Sequence, residues 1–178
     1  YFDLVDKEDL LLSVLQHKGL EFEQELLASF KSQGLQVVSI ERGKSAYQDT
    51  LTAMHKGADV IYQAALSLHP FKGYADFLVK VEGESDLGVF HYEPWDIKLS
   101  KTVKPQFVIQ LCCYAEMLEV IQNKRPNRVT VVTGERQQVN LVTNEHFYYY
   151  ERLKERFLEV HNHFSKEDLP NPADSDRF

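Results

Sequence analysis

The sequence predicts an α/β fold in which one layer of mixed sheet is flanked by helices. Three observations carry this expectation. Apolar residues recur at helical spacing near both ends and in the middle of the chain. Short runs rich in Val, Ile, Tyr and Phe lie between those stretches, and Gly, Pro and Asp clusters bound the runs. The resulting order, helix, strand, helix, three strands, helix, two strands, helix, is that of a mixed α/β core. At 178 residues the chain is long enough for one domain and short for two, so residues 1–178 are expected to form a single unit.

The first helix is expected from Lys7 to about Gln33, where Leu10, Leu11, Val14, Leu15, Phe22, Leu26, Leu27 and Phe30 keep the helical period and Gly34 ends it. A bend is expected near Gly19. Leu35 to Ile40 alternates as a strand, and Tyr47 to Met54 forms a second helix stopped by Gly57. Val60 to Leu66, Gly73 to Val81 and Phe90 to Leu99 read as an antiparallel meander, with turns at His69-Pro70 and Gly83-Glu84-Ser85-Asp86. Helical spacing returns from Pro105 to Asn123, with the proline at a tolerated first-turn position. Arg128 to Thr133 is a β-branched strand, and Gln137 to Val142 is its expected partner. The last helix is expected from about Glu145 to Phe164, mixing charged i,i+4 pairs with Phe147, Tyr150, Leu153 and Phe157. Residues 165–178 read as an extended polar tail. That ending, and a start without Met, lead to the expectation of a fragment of a longer protein.

Composition narrows the classes of function. With 43% hydrophobic and 26% charged residues, the chain is neither disordered nor collagen-like. No apolar run approaches the roughly 18 residues of a membrane span, so no membrane partner is expected. Cys112 and Cys113 are adjacent, which precludes a metal knuckle or a loop-closing disulfide and points to a reducing, cytoplasmic setting. The balance of 20 basic against 27 acidic residues has the wrong sign for holding nucleic acid by bulk electrostatics. A phosphate-bearing partner would therefore need a local basic patch or a bound cation.

Two aspartates occupy strand centres where apolar residues are expected: Asp76 in Gly73-Tyr74-Ala75-Asp76 and Asp96 in Trp95-Asp96-Ile97-Lys98. A carboxylate in such surroundings is costly unless it is paired or bound to a metal. Alternation along a strand puts Asp96 and Lys98 on one face and Ile97 on the other. If Asp76 lies beside that pair, two carboxylates converge on a cation-sized space with a lysine at its edge. Hard oxygen ligands with open water positions suit Mg²⁺ or Mn²⁺, which polarise a phosphodiester and activate a bound water. A structural Asp–Lys ion pair is the plainer alternative.

Gln110 and Tyr114 stand one turn apart on the third helix, an amide above a phenol, and are suited to hold a nucleic-acid backbone or base edge near the metal. Tyrosines in such positions also serve as core residues with satisfied hydroxyls. Lys98, Lys101 and Lys104 form a short basic run suited to backbone phosphates, or simply a solvated loop. Glu93 falls on the strand face opposite Asp96 and is excluded from the metal's ligands. The run Tyr148-Tyr149-Tyr150 points three ways on a helix, with one ring expected inside and two outside.

The set Gly73-Tyr74-Ala75-Asp76, Asp96-Ile97-Lys98 and Gln110-x-x-x-Tyr114 resembles the RecB-like branch of the PD-(D/E)XK nuclease superfamily, closest to the RecB-family nucleases related to the CRISPR adaptation exonuclease. Asp96 follows Asp76 by 20 residues and Gln110 follows Lys98 by 12, as in that pattern. The segments Ala53 to Ala64 and Lys104 to Tyr114 also look like this subfamily, and the resemblance spans about Lys18 to Leu158.

The resemblance implies a PD-(D/E)XK, restriction-endonuclease-like core and a metal-dependent DNA nuclease. Asp76, Asp96, the backbone carbonyl of Ile97 and the helix-borne Glu23 would hold Mg²⁺ or Mn²⁺. Lys98 would assist the attacking water, and Gln110 and Tyr114 would contact substrate or shape the site. It further implies single-stranded DNA or DNA ends as substrate, cleavage to a 5′-phosphate and a 3′-hydroxyl, and a helicase or second nuclease domain in the same polypeptide. Repair, recombination and defence against mobile elements are the implied settings.

The chain departs from the pattern twice. Phe22 precedes Glu23 where relatives tend to carry a metal-binding histidine, and His17 lies on a different part of the helix. Relatives often end in cysteines that bind an iron-sulfur cluster, whereas Asp174 to Phe178 contains none, so no cluster is expected. The missing histidine motivates an alternative: a catalytically weakened nuclease fold that binds DNA ends or a partner protein.

Overall fold

A computed structural model of the chain describes the backbone of residues 2–163 and the side chains of residues 13–163. In these residues the elements follow in the order α1 (Phe2–Ser32), β1 (Val37–Ser39), α2 (Ala46–His55), β2 (Val60–Leu68), β3 (Phe71–Ser85), β4 (Gly88–Ile97), α3 (Pro105–Gln122), β5 (Arg128–Val132), β6 (Gln138–Val142) and α4 (Thr143–His163). The polar tail expected over 165–178, and Phe164 at the end of the last expected helix, lie outside the described residues. No described helix is long and apolar enough to cross a membrane.

The strands form one six-stranded mixed sheet in sequence order. Its two parallel pairs, β1 with β2 and β4 with β5, are the ones joined through a helix, α2 and α3 respectively. The remaining neighbours are antiparallel. This division follows from geometry, since antiparallel strands close with short turns while parallel ones need a crossover.

Each face of the sheet is covered by different helices. On one side Ala53 and Met54 of α2 and Leu111, Ala115 and Leu118 of α3 pack with Ile61, Leu78, Tyr92 and Val131 of the strands. On the other, Phe22, Leu27 and Phe30 of α1 pack with Val60, Phe77, Ile97 and Val132. A third layer forms where Phe147 and Tyr150 of α4 meet Val108 and Cys112 of α3. Tyr150 is the buried member of its tyrosine run, while Tyr148 and Tyr149 face outward. Helix α1 continues through Gly19 without interruption, a residue that costs an α-helix about 1 kcal/mol relative to alanine.

Several strand limits differ from expectation, two of them with a clear physical reason. The residues read as a turn, Gly83 to Asp86, lie almost wholly inside β3, and the hairpin reverses at Asp86-Leu87. Gly83 sits at φ +140° where the register shifts between Glu82 and Ser85, so its glycine marks a bulge rather than a turn. β4 ends at Ile97 instead of Leu99, because the chain leaves the sheet there and Ser100 accepts a bond from the Gly134 N–H.

One buried side chain extends the sheet where strand pairing is lacking. β5 accompanies β4 only from Trp95 to Ile97, which leaves Tyr92 without a strand on that side. Gln122, fully buried at the end of α3, accepts the Tyr92 N–H at 2.8 Å and donates to the Tyr92 carbonyl at 3.1 Å and the Lys124 carbonyl at 2.9 Å. Gln122→Leu is expected to lower stability by roughly 2–4 kcal/mol in urea titrations, since each buried group left unsatisfied costs about 1–3 kcal/mol.

Candidate active site

β3 and β4 pair as a hairpin up to Phe77 and Trp95, and there they part. Beyond that point β3 stays with β2 to the end at Phe71, while β4 stays with β5 to Ile97. Asp76 and Asp96 are the first residue past the fork on each strand. Parting strands leave backbone groups without ladder partners, and buried ones must find others. The Ile97 N–H donates to Asp76 Oδ2 at 2.8 Å, so a carboxylate replaces the missing rung.

Asp96 is 1% exposed, with Oδ2 2.6 Å from Lys98 Nζ. This is a close ion contact, and the Lys98 ammonium is the partner of that buried oxygen. The Lys98 backbone is anchored by its N–H to the Val132 carbonyl at 2.9 Å. Its ammonium donates to Gln110 Oε1 at 3.2 Å and lies 5.3 Å from the centre of the Phe107 ring. Gln110 Nε2 in turn donates to Tyr114 Oη at 3.0 Å, and Tyr114 donates to the Tyr74 carbonyl at 3.0 Å. The i,i+4 pair on α3 thus orients the lysine from one side and grips β3 from the other. Gly73 permits the grip, because a Cβ there would fall 2.9 Å from the Tyr114 hydroxyl.

Glu23 reaches the same end of the sheet from α1. Its Oε2 accepts the Tyr62 hydroxyl at 2.8 Å and Gln63 Nε2 at 2.9 Å. Burial, followed by the adjoining Glu23, pushes the Tyr62 phenol up to about 12, so it remains a donor at neutral pH. Gln63 adopts φ +54° at the residue where the β2–β3 register omits the partner of Asp76. Its Oε1 accepts from Arg42 at 2.9 Å, and the Arg42 guanidinium lies 4.8 Å from the centre of the Tyr74 ring.

Asp76 carries the electrostatic strain of the cluster. Burial first, then the neighbouring Asp96 charge, raises its pKa to about 8, with Glu23 adding to the effect. The Ile97 N–H and the Lys98 charge oppose the rise without cancelling it. Two carboxylates at a fork, one of them reluctant to ionise beside the other, form a site that a cation in addition to Lys98 would relieve. Among the described residues no group of three or more His, Cys, Asp or Glu side chains stands close enough to hold a metal. Mg²⁺ is commonly held by one or two carboxylates, with water and phosphate oxygens completing its shell, so this donor set fits it.

The other expected site residues are placed as follows. Ile97 turns its side chain into the α1-side core, away from Asp96. Lys101 is exposed and pairs with Glu135 at 3.4 Å, and Lys104 precedes α3 beside an apolar groove containing Val108, Ile109 and Tyr149. Neither is shown beside the aspartates. Glu93 is buried with His91 at 3.6 Å and accepts the Arg128 N–H at 3.0 Å. His17 pairs with Glu21 on the surface of α1. Phe22 is 5% exposed among Phe30, Phe77, Ile97 and Val132, with Arg136 over its ring, so the position is filled by core packing.

Tyr62, Gln63 and Arg42 escaped the reading of the sequence. Gln63 had left a trace, as a polar residue in the centre of the otherwise apolar run Val60-Ile61-Tyr62-Gln63-Ala64-Ala65-Leu66. No protein-family model matches the chain, and no curated protein matches it.

The raised pKa of Asp76 gives stability a definite dependence on pH. Between the unfolded value near 4 and the folded value of about 8, the native state binds more protons than the unfolded one, so this group's contribution to stability falls as pH rises. Asp76→Asn keeps an acceptor for the Ile97 N–H and removes the titration. Its melting temperature is expected to exceed that of the wild type by several degrees at pH 9 in EDTA, with the gap narrowing towards pH 5.

Proposed function

We propose that the protein is a divalent-metal-dependent DNA nuclease on a PD-(D/E)XK core. The observation that carries this reading is the convergence of Asp76 and Asp96 at the β3–β4 fork, with Lys98 on Asp96. An ordinary structural ion pair has no need of the second carboxylate, whose burial beside the first is unfavourable. Asp76, Asp96 and the Ile97 carbonyl would hold Mg²⁺ or Mn²⁺, with Glu23 as a further acid at the margin. When bound, the ion supplies positive charge for the scissile phosphate and lowers the pKa of a water.

The chain's own groups act around that centre. The ionised form of Asp76, which burial beside Asp96 disfavours, would be favoured beside a bound cation. Lys98, steered by Gln110 and Asp96, presents an ammonium to the attacking water and to the charge that develops on the phosphoryl oxygens. Tyr114 fixes Gln110 through the Tyr74 carbonyl and so sets the angle of the lysine. Hydrolysis in this reading leaves a 5′-phosphate and a 3′-hydroxyl. Single strands or DNA ends are the proposed substrate, delivered with the help of a helicase or second nuclease domain of the same polypeptide.

A second reading, a weakened nuclease fold that binds DNA ends or a protein, is favoured by Phe22 and by the two donors that occupy Glu23 Oε2. End-labelled single- and double-stranded DNA incubated with Mg²⁺ or Mn²⁺ separates the two. The wild type is expected to cleave, Asp96→Ala to be inactive, and Lys98→Ala to lose roughly 10²–10³-fold in rate, the usual cost of removing one charge-stabilising group. Intact DNA in every wild-type reaction, with binding retained, would establish the binding module instead.

A further inference from the structure

A cleft of about 430 Å³ lies beside the proposed site, between the loop before α2 and the β2–β3 hairpin. Gly43, Lys44 and Tyr47 line one wall, and Lys72, Gly73 and Tyr74 the other. No acidic side chain contributes to its lining. Among the described residues neither lysine has a carboxylate within ion-pair distance. Arg42 adds a third cation at the edge, against the Tyr74 ring. In a chain of net charge −7 this is a local reversal of sign, the very patch that a phosphate-bearing partner would require.

The cleft is joined to the fork by backbone. Tyr74 lies two residues before Asp76 on β3, and its carbonyl takes the Tyr114 hydroxyl that steadies Gln110 and Lys98. We infer that this cleft conducts a single strand of DNA to the two aspartates, its phosphates held by Lys44, Lys72 and Arg42 and its bases laid against Tyr47 and Tyr74. Cations that follow a backbone, interleaved with aromatic rings, are the means by which proteins hold unpaired strands. A duplex keeps its base faces stacked on one another and offers none to Tyr47 or Tyr74. The inference rests on the nuclease reading for the destination of the strand, whereas the binding itself is independent of catalysis.

The test is fluorescence anisotropy of the full chain in EDTA, with a fluorescein-labelled oligothymidylate, a duplex of equal length and an oligouridylate, each over a series of salt concentrations. The single DNA strand is expected to bind more tightly than the duplex or the RNA. The double variant Lys44→Ala/Lys72→Ala changes only exposed side chains and is expected to weaken binding at least tenfold. It should also make the slope of log K against log salt shallower by about 1.4, as two lost single-strand phosphate contacts would. Tyr47→Ala should weaken binding roughly tenfold with the slope unchanged. Variants that bind as the wild type does, a wild type that does not bind the single strand, or a preference for duplex or RNA would each overturn the inference. Cleavage assays on the same proteins keep the two readings apart. Cleavage by the wild type with unaltered binding in the variants would sink the cleft and spare the nuclease, and cleft-dependent binding without cleavage would do the reverse.

Discussion

Where β3 and β4 part beyond Phe77 and Trp95, the sheet gives up a hydrogen-bonded ladder in its buried interior, and an Asp76 carboxylate takes the Ile97 N–H that the separation exposes. Much of the site's arrangement follows from this substitution. A carboxylate used as a backbone surrogate must lie deep between two strands, and depth is the first cause of its resistance to ionisation. Asp96, at the matching place on the other strand, cannot avoid being its neighbour. The fork therefore brings two acids together by the same geometry that makes their company costly. Lys98 offsets part of that cost from the far side of Asp96.

The surroundings of the fork show how a strained cluster is kept in one arrangement. α1 and α3 press on opposite faces of the sheet and each sends a polar side chain to the same end. Glu23 is held by the neutral Tyr62 and Gln63, and Gln110, itself fixed by Tyr114, gives Lys98 a neutral partner besides Asp96. Neutral partners fix direction without removing the charge that chemistry at the site would use. Arg42 connects with this set through Gln63 and Tyr74, which links the loop before α2 to the end of the sheet that carries the carboxylates.

The periodic parts of this arrangement were legible in the sequence. The order of the elements, the antiparallel meander and the shared face of Asp96 and Lys98 all follow from repeats of 2 or 3.6 residues, which local chemistry sets. The motif residues Asp76, Asp96, Lys98, Gln110 and Tyr114 do come together. What escaped depends on relations between strands. Gly83 has the same local signature in a bulge as in a turn, and only the pairing partner tells them apart. The fork likewise leaves no mark in composition, since Phe77 and Ala75 read alike as strand residues on either side of it. Gln63 was visible as an oddity, but its bond to Glu23 spans 40 positions of the chain, beyond the reach of any periodicity. Lys101 shows the opposite failure: nearness in sequence to Lys98 suggested a shared task, yet its ammonium turns to Glu135.

Helix α3 serves both ends of the sheet with one rigid body. Its Gln110 and Tyr114 attend the fork, while Gln122 at its last turn stands in for a strand beside Tyr92. An α-helix fixes both the distance and the angle between such residues, and a single inserted residue would rotate one set by about 100° relative to the other. The stretch from Gln110 to Gln122 is therefore intolerant of any change in length, whereas the loops before Pro105 and after Asn123 carry no such requirement. In the history of such a chain, substitutions along α3 can accumulate on its outward face, but insertions and deletions would have to settle outside it. The helix acts as a ruler, and its length is as much a part of the site as the side chains it carries.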